Sequence, residues 1–191
     1  DSFAKGKVFD KNKDEDFNEL LNEIKKAADT NPERIIKIEN PEIFSIFDEG
    51  ILNDEVEGQL ISLFKKSIYN DRAELKAILS NLRSIQESIF INLENIGVLP
   101  NLDKPAKKIR HLSGNITKNG AGVFLPTSTA YQTPEIENLQ KWIHFTCGTY
   151  IHNLEQAHYT GTIISNYAVQ SLFTGILELL LWFKSTYKDN I

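Results

Sequence analysis

The chain has 191 residues, 41% of them hydrophobic, and a formal net charge of −5. That length supports one substantial core, or one core with a small lobe, and makes two independent domains a poor fit. The acidic balance argues against a general nucleic-acid binder, but the charge is uneven. Residues 1–60 hold 16 Asp/Glu against 8 Lys/Arg, a net of −8, which leaves 10 against 13, a net of +3, for residues 61–191.

Helical periodicity dominates the chain. From Asp14 to Thr30, the residues Phe17, Leu20, Leu21, Ile24, Ala27 and Ala28 form an apolar stripe at helical spacing, closed by Asn31-Pro32. Arg34 to Glu39 is short, β-branched and alternating, so a brief strand or extended linker is expected there. Asn40-Pro41 opens a short helical turn through Phe44 and Phe47 that Gly50 ends. Asn53 or Asp54 then caps a helix to about Ser67, with Val56, Leu60, Leu63 and Phe64 inward.

Asp71 and Glu74 have capping-box spacing, and Leu75, Leu79, Leu82, Ile85, Ile89, Leu93 and Ile96 repeat every three or four residues, so a long helix runs to about Asn95. Gly97 and Pro100 end it. Between Pro100 and Pro134 the pattern is irregular: a short helix from Pro105 to Leu112, a turn at Asn119-Gly120-Ala121-Gly122, and an extended piece from Val123 to Leu125. Thr133-Pro134-Glu135 starts a helix to about Gln156, with Ile136, Leu139, Trp142, Ile143, Tyr150, Ile151 and Leu154 inward.

A final helix covers about Thr162 to Tyr187, with Ile163, Ile164, Tyr167, Leu172, Phe173, Ile176, Leu177, Leu180, Leu181 and Phe183 facing a core or a second subunit. Its apolar run reaches spanning length, but Ser165, Asn166, Gln170, Ser171 and Glu178 mark it as a buried helix rather than a membrane span. The expected architecture is an all-α helical bundle over residues 70–191 with an acidic N-terminal helical lobe or extension over residues 1–69.

The chemistry-bearing stretch is Lys107-Lys108-Ile109-Arg110-His111-Leu112-Ser113-Gly114-Asn115-Ile116, which gathers charge, an imidazole, an amide and a glycine between two long helices. Lys104, Lys107, Lys108 and Arg110 suit a phosphate-bearing partner; a solvated charged loop is the plainer reading. Other constellations are weaker. His144 and His152 are eight residues apart, too far along a helix to share a metal without further ligands, and His158 follows the same helix, so all three read as cap or surface histidines. Cys147 has no activating base nearby in sequence and reads as a small buried residue. A lone cysteine makes no internal disulfide, which fits a reducing, cytoplasmic compartment, and no His/Cys cluster points to zinc. No metal or cofactor is expected. Gly114, Gly120 and Gly122 lack the lysine-ended pattern of a phosphate loop.

Arg110, a polar residue directly after it, and a hydrogen-bonding residue at the fifth position resemble the R-x4-6-H signature of HEPN domains, small helical RNA-cleaving and nucleotide-binding modules of prokaryotic defence and toxin systems. The resemblance covers about Asp71 to Tyr187, and it departs from the family at the closing histidine, where Asn115 stands. It implies a homodimer through helical faces with two motif loops forming one composite site, and metal-independent cleavage of RNA in which histidine moves the proton and Arg110 holds the phosphate, with Lys107 and Lys108 as further phosphate contacts. An asparagine can hydrogen-bond but cannot carry a proton at neutral pH. His111 is the only other imidazole in the loop. It could substitute if turned toward the site, although a structural hydrogen bond is its plainer role. The expected function is therefore an RNA-cleaving toxin or phage-defence effector, inactive or degenerate at Asn115. The rival is a helical interaction or ligand-sensing module without catalysis, engaging a protein partner or antitoxin and no membrane.

Overall fold

A computed structural model of the chain describes residues 13–125, 127, 129–155 and 164–191, which form an all-α fold with one small hairpin. The helices are α1 (Asp14–Asp29), α2 (Pro32–Glu39), α3 (Pro41–Asp48), α4 (Asp54–Lys65), α5 (Arg72–Asn95), α6 (Pro105–Leu112), α7 (Pro134–Glu155) and α8 (Asn166–Lys188). Strands β1 (Thr117–Lys118) and β2 (Phe124–Leu125) pair antiparallel between α6 and α7.

The chain separates into two compact units, meeting in sequence at Pro41 and Glu42. The second therefore includes almost all of α3 and all of α4, where the sequence pattern placed a boundary near residue 69. In the first unit α2 is helical across the segment expected to be extended. The Asn31 side chain accepts from the Glu33 N–H at 2.9 Å and Pro32 occupies the first turn. These start signals outweigh six residues of β-branched alternation, too short a run to dictate a strand. The stripe of α1 is amphipathic as expected but is not core, since Phe17, Leu21 and Ile24 are 49%, 37% and 43% exposed.

In the second unit α5 is the central element, packed against α4, α6, α7 and α8. Its start has the expected cap, the Asp71 side chain accepting from the Glu74 N–H, while the return bond falls one residue before the cap, the Glu74 carboxylate accepting from the Asn70 N–H. Leu75, Leu79, Leu82, Ile85, Ile89 and Leu93 are all buried. The aromatic rings of Phe44, Phe64 and Phe173 join α3, α4 and α8, with a T-shaped Phe64–Phe173 contact at 5.0 Å between centroids. Lys184 and Lys188 of α8 both reach Glu49 just beyond α3, at 3.0 and 2.6 Å.

Helix α8 buries Val169, Leu172, Ile176, Leu179, Leu180 and Phe183. It crosses α7 closely at Gly175, where a Cβ would lie 2.8 Å from a Leu139 methyl. Two expected core residues are on the surface instead. Tyr167, in the first turn of α8, is 85% exposed, and Trp142 of α7 is 40% exposed beside buried Ile143. Ile163, His158 and the proposed start of α8 at Thr162 fall outside the described residues. Among the described residues no helix is long and apolar enough to cross a membrane.

This division of labour between helices has a measurable consequence. Leu82→Ala in the middle of α5 should lower unfolding free energy by about 2–5 kcal/mol, whereas Leu21→Ser on the open stripe of α1 should change it by no more than about 0.5 kcal/mol. Denaturant titration of the two variants reads both, and a large loss from Leu21→Ser would mean that the α1 stripe is packed.

Candidate functional site

The short helix α6 ends in a Schellman cap that positions the candidate residues. The Gly114 N–H donates to His111 O at 2.9 Å, and the Asn115 N–H donates to Arg110 O at 3.3 Å. These are the inner and outer bonds of the motif, with Gly114 in the left-handed region at φ +77°. A side chain at 114 would be strained by that backbone conformation, while its Cβ would only touch Ala130, 3.4 Å away. The outer bond joins the backbones of Arg110 and Asn115 and so brings the two positions to one turn. An apolar pair commonly fills these positions; here both residues are polar and exposed.

The turn is braced from behind. Ser113 bridges to Ala130, the Tyr131 N–H donates to Leu112 O at 2.7 Å, and the Trp182 indole N–H of α8 donates to Tyr131 O at 3.0 Å. Beneath it runs a buried chain of amides. Gln132 Nε2 donates to Ile109 O at 2.7 Å and to Ser113 Oγ at 2.8 Å; Gln140 Nε2 donates to Gln132 Oε1 at 2.7 Å; and Gln86 Nε2 of α5 donates to Gln140 O at 3.0 Å. Each of these glutamines is buried, where a missing partner costs about 1–3 kcal/mol. No motif in the sequence marked them, because isolated glutamines have no periodicity. The sequence signal was indirect: Gln86 and Gln140 sit at core positions of otherwise apolar helical faces.

The five residues picked out from the sequence separate into three groups. Arg110 and Asn115 share the exposed cap. His111 is turned inward, 6% exposed, with Nδ1 3.2 Å from Thr117 Oγ1 on β1. It therefore does not accompany Arg110 to the surface. Lys107 and Lys108 are committed to carboxylates, Lys107 to Asp103 at 2.6 Å and Lys108 to Glu94 at 2.7 Å. The basic cluster thus offers less free charge than its sequence suggests. Among the described residues no carboxylate closes an ion pair with Arg110; nearby Glu137 is bound by Lys141 at 2.5 Å, which holds its carboxyl below the usual range, with help from Ser113 and the field of Arg110.

Elsewhere, Cys147 is fully buried and burial pushes its thiol up to about 12, so it is not a nucleophile in the folded chain. His144 is part-buried beside Phe145 and feels Arg83 and Glu87, which accounts for it without a ligand role. Among the described residues no group of His, Cys, Asp and Glu could hold a metal ion. The chain matches no protein-family model, no curated protein and no solved structure.

Burial holds the His111 imidazole below its ordinary 6.5 because desolvation penalises the charged ring. The unfolded chain then takes up this proton first, so stability is unaffected well above that value and falls as the pH drops through it toward the folded value. The melting temperature should fall between about pH 7.5 and about pH 5.5, and fall less in His111→Gln. Identical pH profiles for the two proteins would place the loss elsewhere, His144 being the first alternative.

Proposed function

We propose that this chain is a HEPN-like RNA-binding module that grips a phosphate with Arg110 and, with Asn115 in the place of the family's histidine, does not cleave. One observation carries the reading: the α6 cap brings Arg110 and Asn115 to one exposed turn, while the only histidine of that turn faces the core. A guanidinium stays charged at any working pH and matches two phosphate oxygens. An amide beside it can hydrogen-bond the same ligand without moving a proton.

With a histidine at 115 the same arrangement has the parts for metal-independent cleavage. The ribose 2′ oxygen bonds to phosphorus as its proton passes to imidazole, the bond to the 5′ oxygen breaks, and that oxygen leaves with the proton the imidazolium gives back, while Arg110 stabilises the charge that develops on the phosphate. The setting such a protein fits is a toxin or phage-defence effector, working as a homodimer. A second reading, an interaction module that docks a protein such as an antitoxin, draws support from Trp142 and Phe145, 40% and 55% exposed on one face of α7.

Asn115→His should create cleavage that resists chelators and leaves 2′,3′-cyclic phosphate ends, and adding Arg110→Ala should abolish it. Because the cap is made by the backbone of residue 115, the substitution should leave thermal stability within about 0.5 kcal/mol of the parent. A folded Asn115→His protein that leaves varied RNAs intact, alone and with cognate partners, would shift the weight to the interaction module, which native mass in the presence of candidate partners then tests.

A further inference from the structure

Between Asp103 and Glu135 the chain has no carboxylate at all: 31 residues, 104–134, carry Lys104, Lys107, Lys108, Arg110 and Lys118 in a chain whose net charge is −5. Lys107 and Lys108 pair with Asp103 and Glu94, so among the described residues the cations of this stretch outside an ion pair are Lys104, Arg110 and Lys118, with Lys104 near enough to Asp103 to help lower its carboxyl. Lys118 belongs to the β1–β2 hairpin, which the sequence pattern left as an extended piece and a turn.

The hairpin has two unlike faces. Thr117 pairs with Leu125 across the ladder and is buried against His111 of α6. Lys118 pairs with Phe124, and side chains at directly paired positions share a face, so these two look away from the bundle. Lys118 Nζ lies 4.2 Å from the centre of the Phe124 ring, yet Phe124 remains 63% exposed, with Ile116 57% exposed two residues before Lys118. The turn that sets this register is fixed by Asn119, whose side-chain oxygen accepts from the N–H groups of Ala121 and Val123, each at 3.0 Å.

An exposed phenyl ring under a lysine, in an acid-free stretch that also presents Arg110, has the two elements by which proteins hold single-stranded nucleic acid: a flat apolar surface on which a base stacks and cations that track the phosphates. We propose that the outward face of the β1–β2 hairpin, Phe124 with Lys118, is a base-stacking platform for single-stranded RNA whose phosphate is held at Arg110. The inference rests on the RNA reading of the site and adds to it the second contact point of the ligand. Charge complementarity selects an anionic partner, and the aromatic ring selects one with planar bases over an acidic peptide.

The test is fluorescence anisotropy of the full chain with labelled oligouridylate and oligoadenylate across a salt series, with a polyglutamate peptide as competitor. Phe124→Ala and Phe124→Leu should each weaken RNA binding about tenfold or more, since leucine keeps the apolar bulk but cannot stack. Lys118→Gln should weaken binding and flatten its salt dependence. Tyr167→Ala, in the first turn of α8, should leave affinity unchanged, and all variants should melt like the parent. RNA binding that is indifferent to Phe124→Ala and Phe124→Leu would overturn the platform while leaving the RNA reading standing. Absence of RNA binding even at low salt would overturn both. Polyglutamate binding as tightly as RNA, with equal sensitivity to Phe124→Ala, would overturn the proposal in favour of an acidic peptide.

Discussion

The amide of Gln86, buried in the middle of α5, starts the hydrogen-bonded chain that reaches the last turn of α6. An amide buried in an apolar helix face is unfavourable without hydrogen-bond partners, and in this chain of glutamines Gln140 Oε1 is left without one among the described residues. The Gln86 donation to Gln140 O fixes the height of α7 against α5, and Gln140 in turn supports Gln132, which holds the last turn of α6. The consecutive helices α5, α6 and α7 are thus tied to one another by directional bonds, where apolar packing alone would allow sliding. The α6 cap is braced separately by Tyr131, whose carbonyl takes the Trp182 indole N–H, and the hairpin by Thr117 against His111.

What the sequence made legible was the part governed by local rules. The cap at Asp71, the three-and-four repeat of α5, and the Thr133-Pro134 start of α7 are decided by neighbours within one or two turns, and they stand where expected. Misplacements arose where tertiary context decides. Trp142 and Tyr167 are apolar at helical spacing, but only the partner helices determine which part of that spacing is covered. The α1 stripe is the clearest instance: its periodicity is that of a core helix, and its exposure is that of a surface one. For Arg34 to Glu39 the local rules themselves competed, and the cap at Asn31 prevailed over β-branching.

The candidate site was legible as a location more than as an arrangement. Charge, glycine and imidazole drew attention to residues 107–116, and the spacing of Arg110 to Asn115 carried the family resemblance. The inward turn of His111 toward Thr117 depends on a two-residue strand too short to leave a pattern. The pairing of Lys107 with Asp103 follows a local four-residue step, whereas that of Lys108 with Glu94 crosses between elements. The hairpin was the least legible part, because four ladder residues cannot declare an alternation and its register comes from the side chain of Asn119.

The Schellman cap of α6 has a consequence for how such a protein can change over time. Its two bonds are made by backbone groups, and its one strict demand on residue identity is the glycine at 114. The side chain at 115 is exposed and contributes nothing to the cap, so it is free to vary without disturbing the turn that presents it. Residue identity at this position is therefore uncoupled from foldability: the side chain that the turn displays can be exchanged, amide for imidazole or cation, without first having to rebuild the scaffold around it.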